Sequence, residues 1–222
     1  MSLPRAVTQA EFEPEVGRFE ALIRSIDESK WEQPSRCGGW TAGDVAKHVV
    51  GQFADVVGGR FDGLGTDEAT QREVDERVGR GPAEVADELA EIRPALAALL
   101  GMFDDDAWST AAPGGAAGTL GQGVEALWSD MVLHADDIRT AAGMSVPADV
   151  DTKAAASHIA DILTQQQWRS ATIALDGLPQ FDVSGGGEKI TGPAWPFVLA
   201  ATGRGDLAAL GLDDSANIYR AS

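Results

Sequence analysis

The chain has 222 residues, 44% of them hydrophobic, and a formal charge of −18 from 35 acidic and 17 basic side chains. That length fits one large domain, or a medium domain with a small one, and supplies enough apolar material for a core. The acid excess argues against nucleic acid or an anionic membrane as a partner, because both select a basic surface.

A single cysteine, Cys37, rules out an intrachain disulfide and a cysteine-rich metal site. No run reaches the about 18 uninterrupted apolar residues of a membrane helix. The N-terminal stretch MSLPRAVTQAEFEPEV holds no apolar segment of signal-peptide length. A reducing, cytoplasmic setting is the expectation; the sequence does not speak to oligomeric state.

Phe12, Val16, Phe19, Ile23 and Ile26 step by four and three, which predicts an amphipathic helix from about Gln9 to Ser29. A loop follows, Lys30 to Trp40, rich in helix-disfavouring residues and bracketed by Trp31 and Trp40, which are expected to pin it to the end of a bundle. Thr41 with Asp44 is an N-cap pair opening a second helix to about Val57. Val45, Val49 and Val56 form its apolar stripe, His48 and Gln52 flank it, and Gly58-Gly59 ends it. Arg60 to Arg80 reads as a long polar connection with a helical turn around Gln71 to Val78.

Gly81-Pro82 starts a third helix whose face is Val85, Leu89, Ile92, Leu96, Leu99 and Phe103, with a kink expected at Pro94. Asp104 to Thr119 is an Asp/Gly/Ala-rich loop, read equally as a lid or a plain connector. Leu120, Val124, Leu127, Met131 and Ile138 then form one stripe of a fourth helix that ends near Gly143. A fifth helical segment is expected from about Asp151 to Leu175. Gln180–Val183 and Lys189–Thr191 read as two strands of a hairpin joined by a glycine turn, before a last helix from Pro193 to about Thr202. The fold class is therefore mainly α: a four-helix bundle over residues 1–148 and a small α/β region over 149–222.

The chain has three histidines. His134 falls within the stripe of the fourth helix, and Asp130 lies one turn earlier on the same side. His48 occupies a similar margin of the second helix. Taken singly, each histidine reads more readily as a hydrogen-bonded core residue. Together, two imidazoles and a carboxylate suit a divalent transition metal such as zinc, with a fourth position left open. His158, near Asp161, reads as a surface or packing residue, and Cys37 as structural. GGGEK at 185–189 lacks the spacing of a phosphate loop.

The run Trp31, Pro34, Ser35, Cys37, Gly39, Trp40, Thr41, Asp44, Val45 and His48 resembles the first signature of the DinB-like, mycothiol-dependent maleylpyruvate isomerase family of actinobacteria. Asp130, His134 and Asp137 resemble its second, Glu-x-x-x-His-x-x-Asp. Thr191-Gly192-Pro193-Ala194, with Leu199 and Gly203-Arg204, is similar to the closing pattern of the family's small C-terminal domain. The resemblance implies a DinB-like bundle with zinc or another divalent metal on His48, Asp130 and His134. It also implies mycothiol as a low-molecular-weight thiol cosubstrate, and isomerisation or S-transfer on a small electrophile through a metal-bound thiolate. Asp137 would then orient a ligand, or else face solvent; Arg204 would contact an anionic group of thiol or substrate, or else form a structural salt bridge. Two departures stand out: Asp130 where the family usually has the longer Glu, and Gly38 for a common Pro. Family membership does not fix a reaction, so a hydrolase using bound water and a non-catalytic binding module remain alternatives.

Overall fold

Apolar residues spaced by three and four give the first long helix, α1 (Arg5–Ser25), in a computed structural model that describes residues 3–220. Residues 1–2 and 221–222, the ends of the two expected domains, lie outside the described residues. Helix α1 runs about a turn ahead of its predicted span. It breaks at Ile26, whose backbone is extended, and Asp27 then caps a separate short helix, α2 (Glu28–Trp31), by accepting from the Ser29 N–H at 2.8 Å.

Thr41 opens α3 (Ala42–Val57) with a reciprocal cap: its hydroxyl accepts from the Asp44 N–H, and Asp44 Oδ2 accepts from the Thr41 N–H, both at 3.1 Å. The polar connection holds a full helix, α4 (Asp67–Asp75), capped by Thr66. Only Ala69, Glu73 and Val74 of α4 are buried, which is why its apolar periodicity is weak. Helix α5 (Pro82–Gly101) runs on through Pro94 as one helix. The expected lid or connector carries a short helix, α6 (Asp105–Trp108), and a bridge between Ala111 and Thr119. Helix α7 (Leu120–Ala142) follows, closed by Gly143 in the left-handed conformation at φ 70°.

The chain divides into two compact units. One comprises Pro4–Val124 with Asp130–Ala148. In it α1 and α3 pack on α5, and α4 packs on α3. Val16, Ile23, Val45, Val49, Val85 and Leu89 are fully buried there, each burial stabilising the fold by about 1.5–3 kcal/mol. The Phe12 and Phe53 rings meet edge to face at 5.9 Å, joining α1 to α3. Helix α7 is buried on more than the predicted stripe: Val124, Met131 and Ile138 are covered, and so is Leu133.

The other unit takes Leu3, Glu125–Ser129 and, of the described residues, 149–220. Two expectations are corrected here. The fifth helix, α8, spans only Lys153–Gln165, because Gln167 turns left-handed at φ 56°, and residues predicted as its last turns form strand β1 (Ala171–Leu175). The predicted hairpin does not form either. Strand β2 (Phe181–Val183) pairs antiparallel with β1, and β3 (Glu188–Gly192) pairs parallel with it on the opposite edge. The glycine run 185–187 thus crosses between sheet edges. Gly187 passes so close to the Ser170 carbonyl that a Cβ would lie 2.6 Å from its oxygen. Helix α8 packs on β2 and on α9 (Ala194–Ala201).

Candidate metal centre

Helix α3 presents His48 and α7 presents Asp130 and His134, and the structure brings the three together. His48 Nε2 lies 3.3 Å from Asp130 Oδ2, and His134 Nε2 lies 3.3 Å from Asp130 Oδ1. The two imidazole rings stand perpendicular, at 88°, with centroids 5.2 Å apart.

The far side of each ring is committed. His48 Nδ1 donates to Glu73 Oε2 at 2.6 Å, and His134 Nδ1 donates to Asp137 Oδ2 at 2.8 Å. An ionised carboxylate only accepts, so each Nδ1 keeps its proton, and a cation beside Asp130 would take the Nε2 lone pairs by displacing the protons that Asp130 otherwise favours there. Asp130 Oδ2 is buried without a hydrogen-bond partner.

The donor set fits a cation. A tetrahedral ion with bonds of about 2.0–2.1 Å holds neighbouring donor atoms roughly 3.3–3.4 Å apart, which matches both spacings. Each imidazole is backed by a carboxylate, the arrangement that fixes tautomer and orientation in zinc sites. The electrostatics run the same way. Burial disfavours charge on His134, but the adjacent Asp130 carboxylate outweighs it and holds the imidazole well above its ordinary range. Burial likewise opposes a charged His48, and Asp130 with Glu73 raises it nonetheless. Asp130 would be pushed up by burial; His134 and His48 hold it well below the usual carboxylate range. The pocket thus selects positive charge.

Cys37 Sγ reaches this region too, 3.3 Å from Asp137 Oδ2 and 3.8 Å from His134 Nδ1. It stands on the Nδ1 side of the ring, away from the Nε2 atoms that converge on Asp130. Cys37, His134 and Asp137 also bring donor atoms together. However, the Arg36 guanidinium sits on Asp137, with Nε 2.5 Å from Oδ1, and opposes a cation there.

Of the residues singled out from sequence, His48, Asp130 and His134 converge and Asp137 touches His134. Arg204 belongs to the other unit, where its guanidinium donates to the Thr202 carbonyl at 3.2 Å. Sequence reasoning missed Glu73, on a helix it read as a connection. The readable trace was Gly51, three residues after His48. A Cβ there would lie 2.6 Å from Glu73 Cβ, so the absent side chain lets α4 bring its carboxylate in. Arg36 carried no signal, since its partners lie about a hundred residues away.

A mainly α, DinB-like bundle with a small α/β region, carrying a two-histidine, one-aspartate cluster between two of its helices, is the class that fold and site define. A family model described as the mycothiol maleylpyruvate isomerase N-terminal domain matches residues 12–139, and the chain belongs to that family. The match runs from α1 into α7 and takes in all three clustered residues. A crystal structure of the mycothiol-dependent maleylpyruvate isomerase is similar in fold, with a TM-score of 0.63 at 17% identity over 91% of this chain and 90% of that one. A histidine-to-alanine mutant of that isomerase gives a TM-score of 0.60 at the same identity and coverage. No curated protein matches the sequence. Among the described residues, no helix is long and apolar enough to cross a membrane.

Proposed function

We propose that this chain is a metal-dependent, thiol-dependent enzyme of the cytoplasm that isomerises a small electrophilic substrate or conjugates it to the thiol. The metal would be zinc or another divalent ion, and the thiol mycothiol, after the family. When bound, such an ion lowers the pKa of a coordinated thiol, so that a thiolate is present at neutral pH. His48, Asp130 and His134 would hold the ion through two Nε2 atoms and a carboxylate oxygen. Glu73 and Asp137 would hold the two rings in the tautomer that this requires. Asp130 is one carbon shorter than the usual Glu, yet each of its oxygens already stands 3.3 Å from one imidazole Nε2.

The observation that carries this reading is the pair of 3.3 Å spacings from the two Nε2 atoms to Asp130, one to each carboxylate oxygen, with Oδ2 buried and lacking a hydrogen-bond partner. Two outcomes test it: uptake of one zinc per chain by the apoprotein, and consumption of electrophiles from a panel of maleyl and related unsaturated acids only when thiol is present. Turnover without thiol would point to water as the nucleophile and contradict the proposal.

A further inference from the structure

The loop between α2 and α3 is closed upon itself. The Ser35 N–H and hydroxyl both donate to the Trp40 carbonyl, at 2.9 and 2.8 Å, and the Cys37 N–H donates to Ser35 Oγ at 3.1 Å. Pro34 and Thr41 form a bridge across its base, and Thr41 is the cap of the helix that carries His48. A loop held this way moves with α3.

Three side chains of this loop reach the centre. The Arg36 guanidinium grips α7: Nε donates to Asp137 Oδ1 at 2.5 Å, and one terminal nitrogen bonds Asp136 Oδ2 and, at 3.4 Å, Thr140 Oγ1. The Cys37 thiol donates to the other oxygen of Asp137. The Trp40 ring lies 5.4 Å from the His48 ring. Asp136 and Asp137 are 3% and 0% exposed, and Arg36 pairs with both of these buried acids, with Arg139 also acting on Asp136.

We infer that residues 36–40 form a clasp that sets the spacing of the two imidazoles, with Arg36 as its positioning residue. The inference rests on reading His48, Asp130 and His134 as metal ligands. Carboxylate torsions are broad and soft. A guanidinium fork on Asp137 Oδ1 and Asp136 fixes the plane in which Oδ2 meets His134 Nδ1. Because the same loop is continuous with the cap of α3, His134 is located relative to His48 through the loop's ion pairs and hydrogen bonds to Asp137 as well as through helix packing. Lysine, a point charge without the fork, would neutralise the acids but hold the plane less well.

The test is zinc affinity by competition with a chromophoric chelator, together with the visible absorption of the cobalt(II)-loaded protein. Arg36→Gln combined with Asp136→Asn removes the clasp and one of the two acids it pairs with, while Asp137 keeps its bond to His134. This pair is expected to bind zinc about 10–100-fold more weakly than the unaltered chain, with a changed cobalt spectrum. Arg36→Lys falls between. Asp136→Asn alone, which leaves the Arg36 bond to Asp137, loses less than the pair, and Arg24→Gln in an exposed ion pair with Asp87 stays close to the unaltered affinity.

An unchanged affinity and spectrum in the Arg36→Gln, Asp136→Asn protein would overturn the clasp and leave the metal reading standing. The full loss from Asp136→Asn alone would do the same. A second zinc per chain that disappears in Cys37→Ser would also overturn it, since that places a cation where Arg36 now stands. An unaltered chain that takes up no zinc would overturn both readings.

Discussion

The two histidines of the centre are held by opposite means. His48 is backed by Glu73, a buried carboxylate delivered by the packing of α4 on α3, and among the described residues no cation bonds that carboxylate. His134 is backed by Asp137, which is tied to a partly exposed guanidinium and a thiol from a loop. One side is built from close helix approach and the other from charge pairing. Packing is insensitive to salt and intolerant of volume, whereas a pair between a half-exposed guanidinium and buried acids is partly screened by salt and depends on the fork geometry. The same chemical arrangement, carboxylate–imidazole, thus carries different vulnerabilities on its two sides.

Removing either imidazole abolishes the difference. His48→Ala and His134→Ala are each expected to eliminate stoichiometric zinc, as elemental analysis would show, because two remaining protein donors do not make a site. A smaller and one-sided effect comes from Gly51→Ala. Its Cβ would meet Glu73 Cβ at 2.6 Å and Arg77 Nη1 at 2.8 Å, so α4 must shift. Thermal unfolding should register about 1–3 kcal/mol of lost stability, and zinc affinity should fall by roughly tenfold as the Glu73 bond lengthens. Raised salt is expected to leave the Gly51→Ala defect unchanged and to weaken zinc binding in Arg36→Lys further.

The pH dependence sharpens the contrast between apoprotein and loaded protein. Asp130 raises the His134 and His48 values in the folded apoprotein. That contribution to stability is complete below the unfolded imidazole value of about 6.5 and is lost as pH rises through the folded values. Zinc binding must displace those protons, so affinity climbs over the same range. The gap in melting temperature between zinc-loaded and apoprotein is therefore expected to widen from pH 6 to pH 8. A gap that narrows would contradict the protonation scheme.

An effect confined to the other unit needs no metal. Glu125 is raised to about 7, chiefly by burial, although the Leu3 N–H donates to its Oε1 at 2.5 Å. An acid raised on folding destabilises the native state as pH climbs from the unfolded value toward the folded one. Glu125→Gln is expected to stabilise the protein by up to about 2–3 kcal/mol at pH 8 and to change little at pH 4. Equal melting curves at both pH values would refute this.

The sequence made the ligands legible because helical spacing is local. Asp130 and His134 are one turn apart, and Thr41 with Asp44 fixes where α3 starts and so where His48 falls. What stayed hidden was set by distant contacts. Glu73 lies on a helix with almost no apolar stripe, and Arg36 finds its acids only after α3 and α7 pack. Strand β1 was absorbed into a helix because a short apolar run such as ATIAL has no period of its own. The hairpin failed for a related reason: β2 and β3 each look like half of one until β1 takes the place between them.

The central claim is that one divalent cation sits among His48, Asp130 and His134. Metal content per chain, measured on protein purified without chelator and compared with His48→Ala, tests it most directly. The account predicts one equivalent in the unaltered chain and none in the variant. An unaltered chain free of metal and unable to take it up, or a variant that keeps its full equivalent, would contradict it.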